Sequence, residues 1–130
     1  MTVIGIDPHK SSLTAAALDA DGTARVTRRF AVNKATGPAV LAWASQFDEA
    51  LFAVEGARGL GRGISQYLLS QGHEVLDVPS TLSMKARVLH TGGGRKTDAA
   101  DARAVGWVAQ HHEGLRRVVA EDHAEILDLL

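Results

Sequence analysis

Residues 1–32 decide the fold: Met1-Thr-Val-Ile-Gly-Ile-Asp-Pro-His-Lys-Ser-Ser-Leu-Thr-Ala-Ala-Ala-Leu-Asp-Ala-Asp-Gly-Thr-Ala-Arg-Val-Thr-Arg-Arg-Phe-Ala-Val32. Val3 to Asp7 is a short β-branched run ending in an acid, which predicts a buried strand with a carboxylate at its C-terminal end. Pro8-His9-Lys10 turns the chain. Leu13 to Leu18 is small and apolar, and Asp19-Ala-Asp-Gly22 is a turn signal between two strand-like runs, hence a hairpin. Arg25 to Val32 alternates roughly and gives a third strand. Three strands in an antiparallel meander are not the strand–helix–strand opening of a doubly wound sheet.

The period then changes. In Asn33 to Phe47, Thr36 is placed as an N-cap, Pro38 near the first turn, and Val40, Leu41, Ala44 and Phe47 on one apolar face. Leu51 to Val54 reads as a strand ending at Glu55, followed by Gly56-Ala-Arg-Gly-Leu-Gly-Arg-Gly63 and a helix carrying Ile64, Tyr67, Leu68 and Leu69. The glycine run contains neither G-x-G-x-x-G nor G-x-x-x-x-G-K-[ST], so it reads as a tight strand-to-helix connection. Glu74 to Val78 is a fifth strand, residues 80–97 read as irregular and basic, and 98–112 as a helix with Ala102, Val105, Val108 and Ala109 inward. Val118-Val119 reads as a brief extended piece, and a further helix starts at Glu121.

The order is therefore β-β-β-α-β-α-β-α, a ribonuclease H-like α/β pattern with a mixed sheet. In it the first and fourth strands are central neighbours, so Asp7 and Glu55 come together at their ends. A helix packed on the sheet would bring Asp98 and Asp101, one face apart by three residues, to the same edge. Residues 1–112 are expected to form the domain. Residues 113–130 read as the start of a helical linker, in a chain that looks cut at Leu130.

At 130 residues the chain is one domain with a real core. Its 14 Lys and Arg against 15 Asp and Glu give a net charge of −1, so no global basic field advertises a polyanionic partner. Charge is uneven, however: residues 83–103 are net +3 and residues 113–130 net −3. Cysteine is absent, which excludes disulfides and thiolate metal sites. The N-terminus lacks a signal-peptide pattern and no stretch approaches a membrane span, so a cytoplasmic location is expected.

Four carboxylates converging in a partly buried place raise one another's pKa unless neutralised. Hard oxygen ligands favour Mg²⁺ or Mn²⁺, and two such ions ~3.5–4 Å apart clamp both oxygens of an in-line displacement at phosphorus. Lys10, Arg58, Arg62, Lys85, Arg87, Arg95 and Lys96 are candidates for the flanking phosphates. The plainer alternative is that Asp98 is an N-cap, with Asp101 favouring the positive helix end. The histidines show no metal-ligand spacing, and Trp43 and Trp107 read as core.

Ile4-Gly-Ile-Asp-Pro-His-Lys10, Phe52-Ala-Val-Glu-Gly56 and Lys96-Thr-Asp-Ala-Ala-Asp-Ala102 together resemble the N-terminal domain of DEDD transposases of bacterial insertion sequences. These are similar in fold to the Holliday-junction resolvase RuvC. The resemblance spans roughly residues 3–112. It implies that Asp7, Glu55, Asp98 and Asp101 are the four catalytic acids, binding Mg²⁺ or Mn²⁺ and acting on DNA. It also implies a bacterial protein that works as a dimer or tetramer, in some members directed by a structured RNA. A C-terminal domain supplies the nucleophilic serine in that family, and no serine here matches its motif.

Two other functions fit parts of the pattern. An ATPase or kinase of the actin-like fold also begins with Ile-Gly-Ile-Asp and a hairpin, but usually has glycines where Pro8-His9-Lys10 stands. A non-catalytic nucleic-acid-binding and oligomerisation module would account for the basic stretch 85–96.

Overall fold

The computed structural model describes residues 1–91 and 97–121, with the backbone alone for residues 90 and 91. Strands β1 (Thr2–Pro8), β2 (Ser12–Leu18) and β3 (Ala24–Ala31) form the expected meander. The β2–β3 turn closes on Gly22 at φ +85°, with Asp19 N–H donating to Thr23 C=O at 2.9 Å. Helix α1 (Thr36–Ala44), strand β4 (Ala50–Glu55), helix α2 (Arg62–Ser70) and strand β5 (Val75–Val78) follow. Two helices complete the described chain, α3 (Ser80–Thr91) and α4 (Asp98–His111).

The sheet order is β3-β2-β1-β4-β5, with β1 antiparallel to β2 and parallel to β4. Ile6 pairs with Val54, so Asp7 and Glu55 are the next residues along neighbouring central strands. β1, β2 and β4 are apolar because both sheet faces are covered. Ile4, Ile6, Leu13, Phe52 and Val54 pack with Val40, Trp43 and Leu68 under α1 and α2. Val3, Ala53 and Val78 pack with Ala86, Val105 and Val108 under α3 and α4. Trp43 is core, edge-on to Phe30 and Phe47 at 5.9 and 5.3 Å.

Helix α4 lies directly on β1. A Cβ on Gly5 would meet the Gly106 Cα at 2.9 Å, so this crossing requires glycine on the strand. That contact fixes how far α4 stands from the sheet, and hence where its first turn meets the strand ends.

Three local expectations are corrected. Residues 80–91 are helical rather than irregular, because Pro79 opens a helix in which Leu82, Ser83 and Ala86 recur on the sheet-facing side. Thr36 is the first helical residue, not the N-cap. Its hydroxyl accepts from Asn33 N–H at 2.7 Å and donates to Ala31 C=O at 2.7 Å, tying α1 to the end of β3. The cap of α4 is Thr97, whose Oγ1 accepts from Ala100 N–H at 3.0 Å, so Asp98 is not needed to cap it.

Beyond α4, Asp77 N–H donates to Arg116 C=O and Val118 N–H to Val75 C=O, both at 2.8 Å. The extended piece expected at Val118 thus adds to the open side of β5, and this part of segment 113–130 packs on the domain. Gly92 to Gly94, Arg95 and Lys96, and the helix expected beyond Glu121 lie outside the described residues.

Candidate active site

Asp7 is 5% exposed near the end of β1, and Asp101, in the first turn of α4, is also 5% exposed. Glu55 ends β4 between them. Together with Pro8, His9, Gly56, Leu60, Ser80, Met84 and Arg87 they line a cleft of ≈ 380 Å³. The backbone after Glu55 must turn sharply, and Gly56 does so at φ +59°. Gly56 N–H donates to Val78 C=O at 3.1 Å and Ala57 N–H to Asp77 Oδ1 at 3.0 Å, which pins the turn to β5. The glycine-rich run is thus the tight connection expected.

Burial pushes the Glu55 carboxyl up to about 7, helped by a hydrogen bond to Asp7, the Asp7 charge and, more weakly, Asp101. The Ser83 hydroxyl acts in the opposite direction. Near neutral pH the proton on Glu55 therefore relieves the repulsion between two strand-end acids. His9 Nε2 stands 2.9 Å from Asp7 Oδ2, and Arg87 donates to Asp101 Oδ1 at 2.9 Å. A proton, an imidazole and a guanidinium each lie against one carboxylate.

Thr14 is the cross-strand partner of Asp7 and shares its face of the sheet. Its hydroxyl is buried with no hydrogen-bond partner among the described residues. Three carboxylates in one cleft, an orphaned hydroxyl across the strand from Asp7 and no sulfur are donors suited in kind to a hard divalent cation. No three His, Asp or Glu side chains among the described residues stand close enough in this arrangement to share one ion.

The structure thus brings Asp7, Glu55 and Asp101 to one cleft. Asp98 opens α4 three residues earlier, is exposed, and does not line it. Of the proposed phosphate-binding cations, Arg87 sits inside the cleft on Asp101. Arg62 makes a two-point ion pair with Glu121, both contacts 2.7 Å, and Arg58 stands 3.7 Å from Asp77. Lys85 lies on the outer side of α3 among Met84, Val88 and Leu89, and Lys10 is exposed in the turn after β1. Three contributors went unrecognised. His9 was visible as a titratable side chain two residues from Asp7. Ser83 and the pairing role of Arg87 required α3 to be seen as a helix.

The sequence profile of the DEDD transposases of the IS110 type, a transposase family, matches residues 4–130. No curated protein matches. Among solved structures, Thermus thermophilus RuvC in complex with a Holliday junction substrate superposes with a TM-score of 0.67 at 17% identity, covering 91% of this chain and 99% of RuvC. A second Thermus thermophilus RuvC structure gives 0.65 at 17% identity, covering 91% and 100%. The large terminase nuclease of thermophilic phage G20c gives 0.61 at 15% identity, covering 82% and 81%. At these identities the likeness is one of fold, and the fold is ribonuclease H-like.

Proposed function

The chain belongs to the DEDD transposase family, and from that premise we propose that it is the metal-binding catalytic domain of a recombinase that cuts and rejoins DNA. One observation carries the proposal: Asp7, Glu55 and Asp101 meet in one cleft, with Glu55 pushed up to about 7 by burial and by Asp7. Structural ion pairs do not need three acids lining one cleft. A phosphoryl-transfer site does.

In this reading Asp7, Glu55 and Asp101 would hold Mg²⁺ or Mn²⁺, and Asp98, three residues before Asp101 in the first turn of α4, would complete the set from the rim. The cation supplies Lewis-acid activation of the scissile phosphate and charge neutralisation. The chain's own part would begin with Glu55, whose raised carboxyl would have to be ionised to serve as a ligand. Arg87 then leaves Asp101 for a phosphate oxygen, for which a planar guanidinium is well shaped. In the metal-loaded site the hydroxyl of Thr14, unpartnered among the described residues as it stands, would position Asp7 from the neighbouring strand.

DNA as the partner is supported by the family and by the junction-bound RuvC with the same fold. Lys10, Lys85, Arg95 and Lys96 are proposed to meet its backbone, with Arg58 and Arg62 released from their carboxylates to join them. Rejoining is assigned to a serine in a further domain, and oligomerisation and a guide RNA to the full-length recombinase, as the family resemblance implies.

Isothermal titration with Mn²⁺ tests the site. Heat of binding is expected for the chain and lost when Asp7, Glu55 and Asp101 become Asn, Gln and Asn. Identical isotherms for the two proteins would overturn the assignment.

A further inference from the structure

A second cleft, of ≈ 320 Å³, lies beside the first and shares Pro8, His9 and Leu60 with it. That volume is at the small end of the ~300–1,000 Å³ typical of ligand pockets. Its inner wall is apolar and aromatic: Leu13 and Ile64 are buried, and the half-buried ring of Tyr67 stands across from Gly37. A Cβ on Gly37 would meet the Tyr67 ring at 2.5–2.7 Å, so the glycine makes room for the ring at the start of α1. The Tyr67 hydroxyl has no hydrogen-bond partner among the described residues.

The rim has opposite character. Lys10 and Lys34 are exposed on it, and neither has a carboxylate partner among the described residues. The first turn of α1, which carries no acid and no side-chain cap, forms part of the same rim. Apolar and aromatic inside, cationic at the mouth, and continuous with a phosphoryl-transfer cleft, this is the chemistry of a nucleotide. A duplex is too wide for such a concavity, whereas one unstacked base fits it.

We infer that this cleft takes the base of an unpaired nucleotide next to the phosphate that is cut, with Tyr67 and Leu60 against the base and Lys10 and Lys34 on the flanking phosphates. The inference rests on reading the neighbouring cleft as a DNA-cleaving site. Leu60, 67% exposed, is the ridge between the two clefts, where the strand passes from one to the other.

Fluorescence anisotropy with the purified chain in EDTA compares an oligothymidylate with an abasic strand of the same length. Both carry the same phosphates, so their difference isolates the base. The wild type is expected to prefer oligothymidylate by about fivefold or more, the low end of base–aromatic contact energies. Tyr67→Ala and Leu60→Ser should each remove most of that preference, and the exposed Leu60 keeps the test open if the tyrosine variant fails to fold. Lys10→Gln with Lys34→Gln should weaken both strands equally. Equal binding of the two strands by the wild type, or a preference unchanged in both variants, would overturn the inference. So would competition by thymidine monophosphate as strong as by the strand. The chelator separates this result from the metal reading: a base preference without Mn²⁺ binding leaves the cleft standing and removes the active site.

Discussion

Gly5 of β1 and Gly106 of α4 face each other backbone to backbone: a Cβ on Gly5 would come within 2.9 Å of the Gly106 Cα. Asp7 lies two residues beyond one glycine and Asp101 five before the other, so the same contact sets the approach of the two acids. Gly5→Ala must push the helix off the sheet. It is expected to destabilise the chain by about 1–3 kcal/mol or more, as overpacking against backbone does. It should also weaken Mn²⁺ binding in the population that still folds. Urea unfolding and titration calorimetry measure the two effects, and an unchanged unfolding midpoint would show that the contact sets nothing.

The carboxyl of Glu55 gives the apoprotein a pH signature. Its folded pKa, about 7, lies above its ordinary 4.5, so the folded state holds the proton more tightly than the unfolded chain does. Stability from this group is full below the ordinary value and falls as pH rises from about 4.5 to about 7. Melting temperature in EDTA is therefore expected to drop between those limits. Glu55→Gln, which cannot ionise, should flatten that part of the profile and melt higher than wild type at pH above 7. Parallel profiles for the two proteins would contradict the assignment.

Arg87 donates to Asp101 at 2.9 Å, with both side chains largely out of water. Arg87→Met takes the guanidinium away from a buried carboxylate and is expected to cost about 1–3 kcal/mol in denaturant titration. Adding Asp101→Asn to that variant should restore part of the loss. A double variant no more stable than the single would mean the pair is not coupled.

Thr14→Val exchanges an unpartnered buried hydroxyl for a methyl group of the same shape. The apoprotein is expected to gain stability, on the order of 1 kcal/mol, because no hydrogen bond is lost. Cation binding should weaken if the hydroxyl positions Asp7. Unfolding in EDTA and Mn²⁺ titration read the two separately. A stability loss in EDTA would show that the hydroxyl already has a partner.

The central fold was legible because β1, β2 and β4 are covered on both faces and so carry unbroken apolar runs bounded by turn residues. Parallel pairing of β1 with β4 then followed from the meander, and with it the meeting of Asp7 and Glu55. Helix α3 was masked by composition: Ser83 and Ala86 are small, and the outward positions Met84, Val88 and Leu89 are apolar. A stripe that is small inside and large outside inverts the usual pattern. The pairing of Arg87 with Asp101 was invisible for the same reason, since 14 residues separate them and only the packing of α3 on α4 joins them. Thr97 went unrecognised as a cap because the acid after it was the more conspicuous candidate.

The extended piece at Arg116–Val118, bridged to β5 at Leu76–Arg117, has a consequence for assembly. It occupies the edge of β5, while the opposite edge, β3, is solvent-facing and carries Arg25, Arg28 and Arg29. A row of like charges on an open strand discourages a second strand from adding to it. With one border partly covered and the other lined by like charges, addition of a second copy's strand to this sheet is disfavoured at both ends.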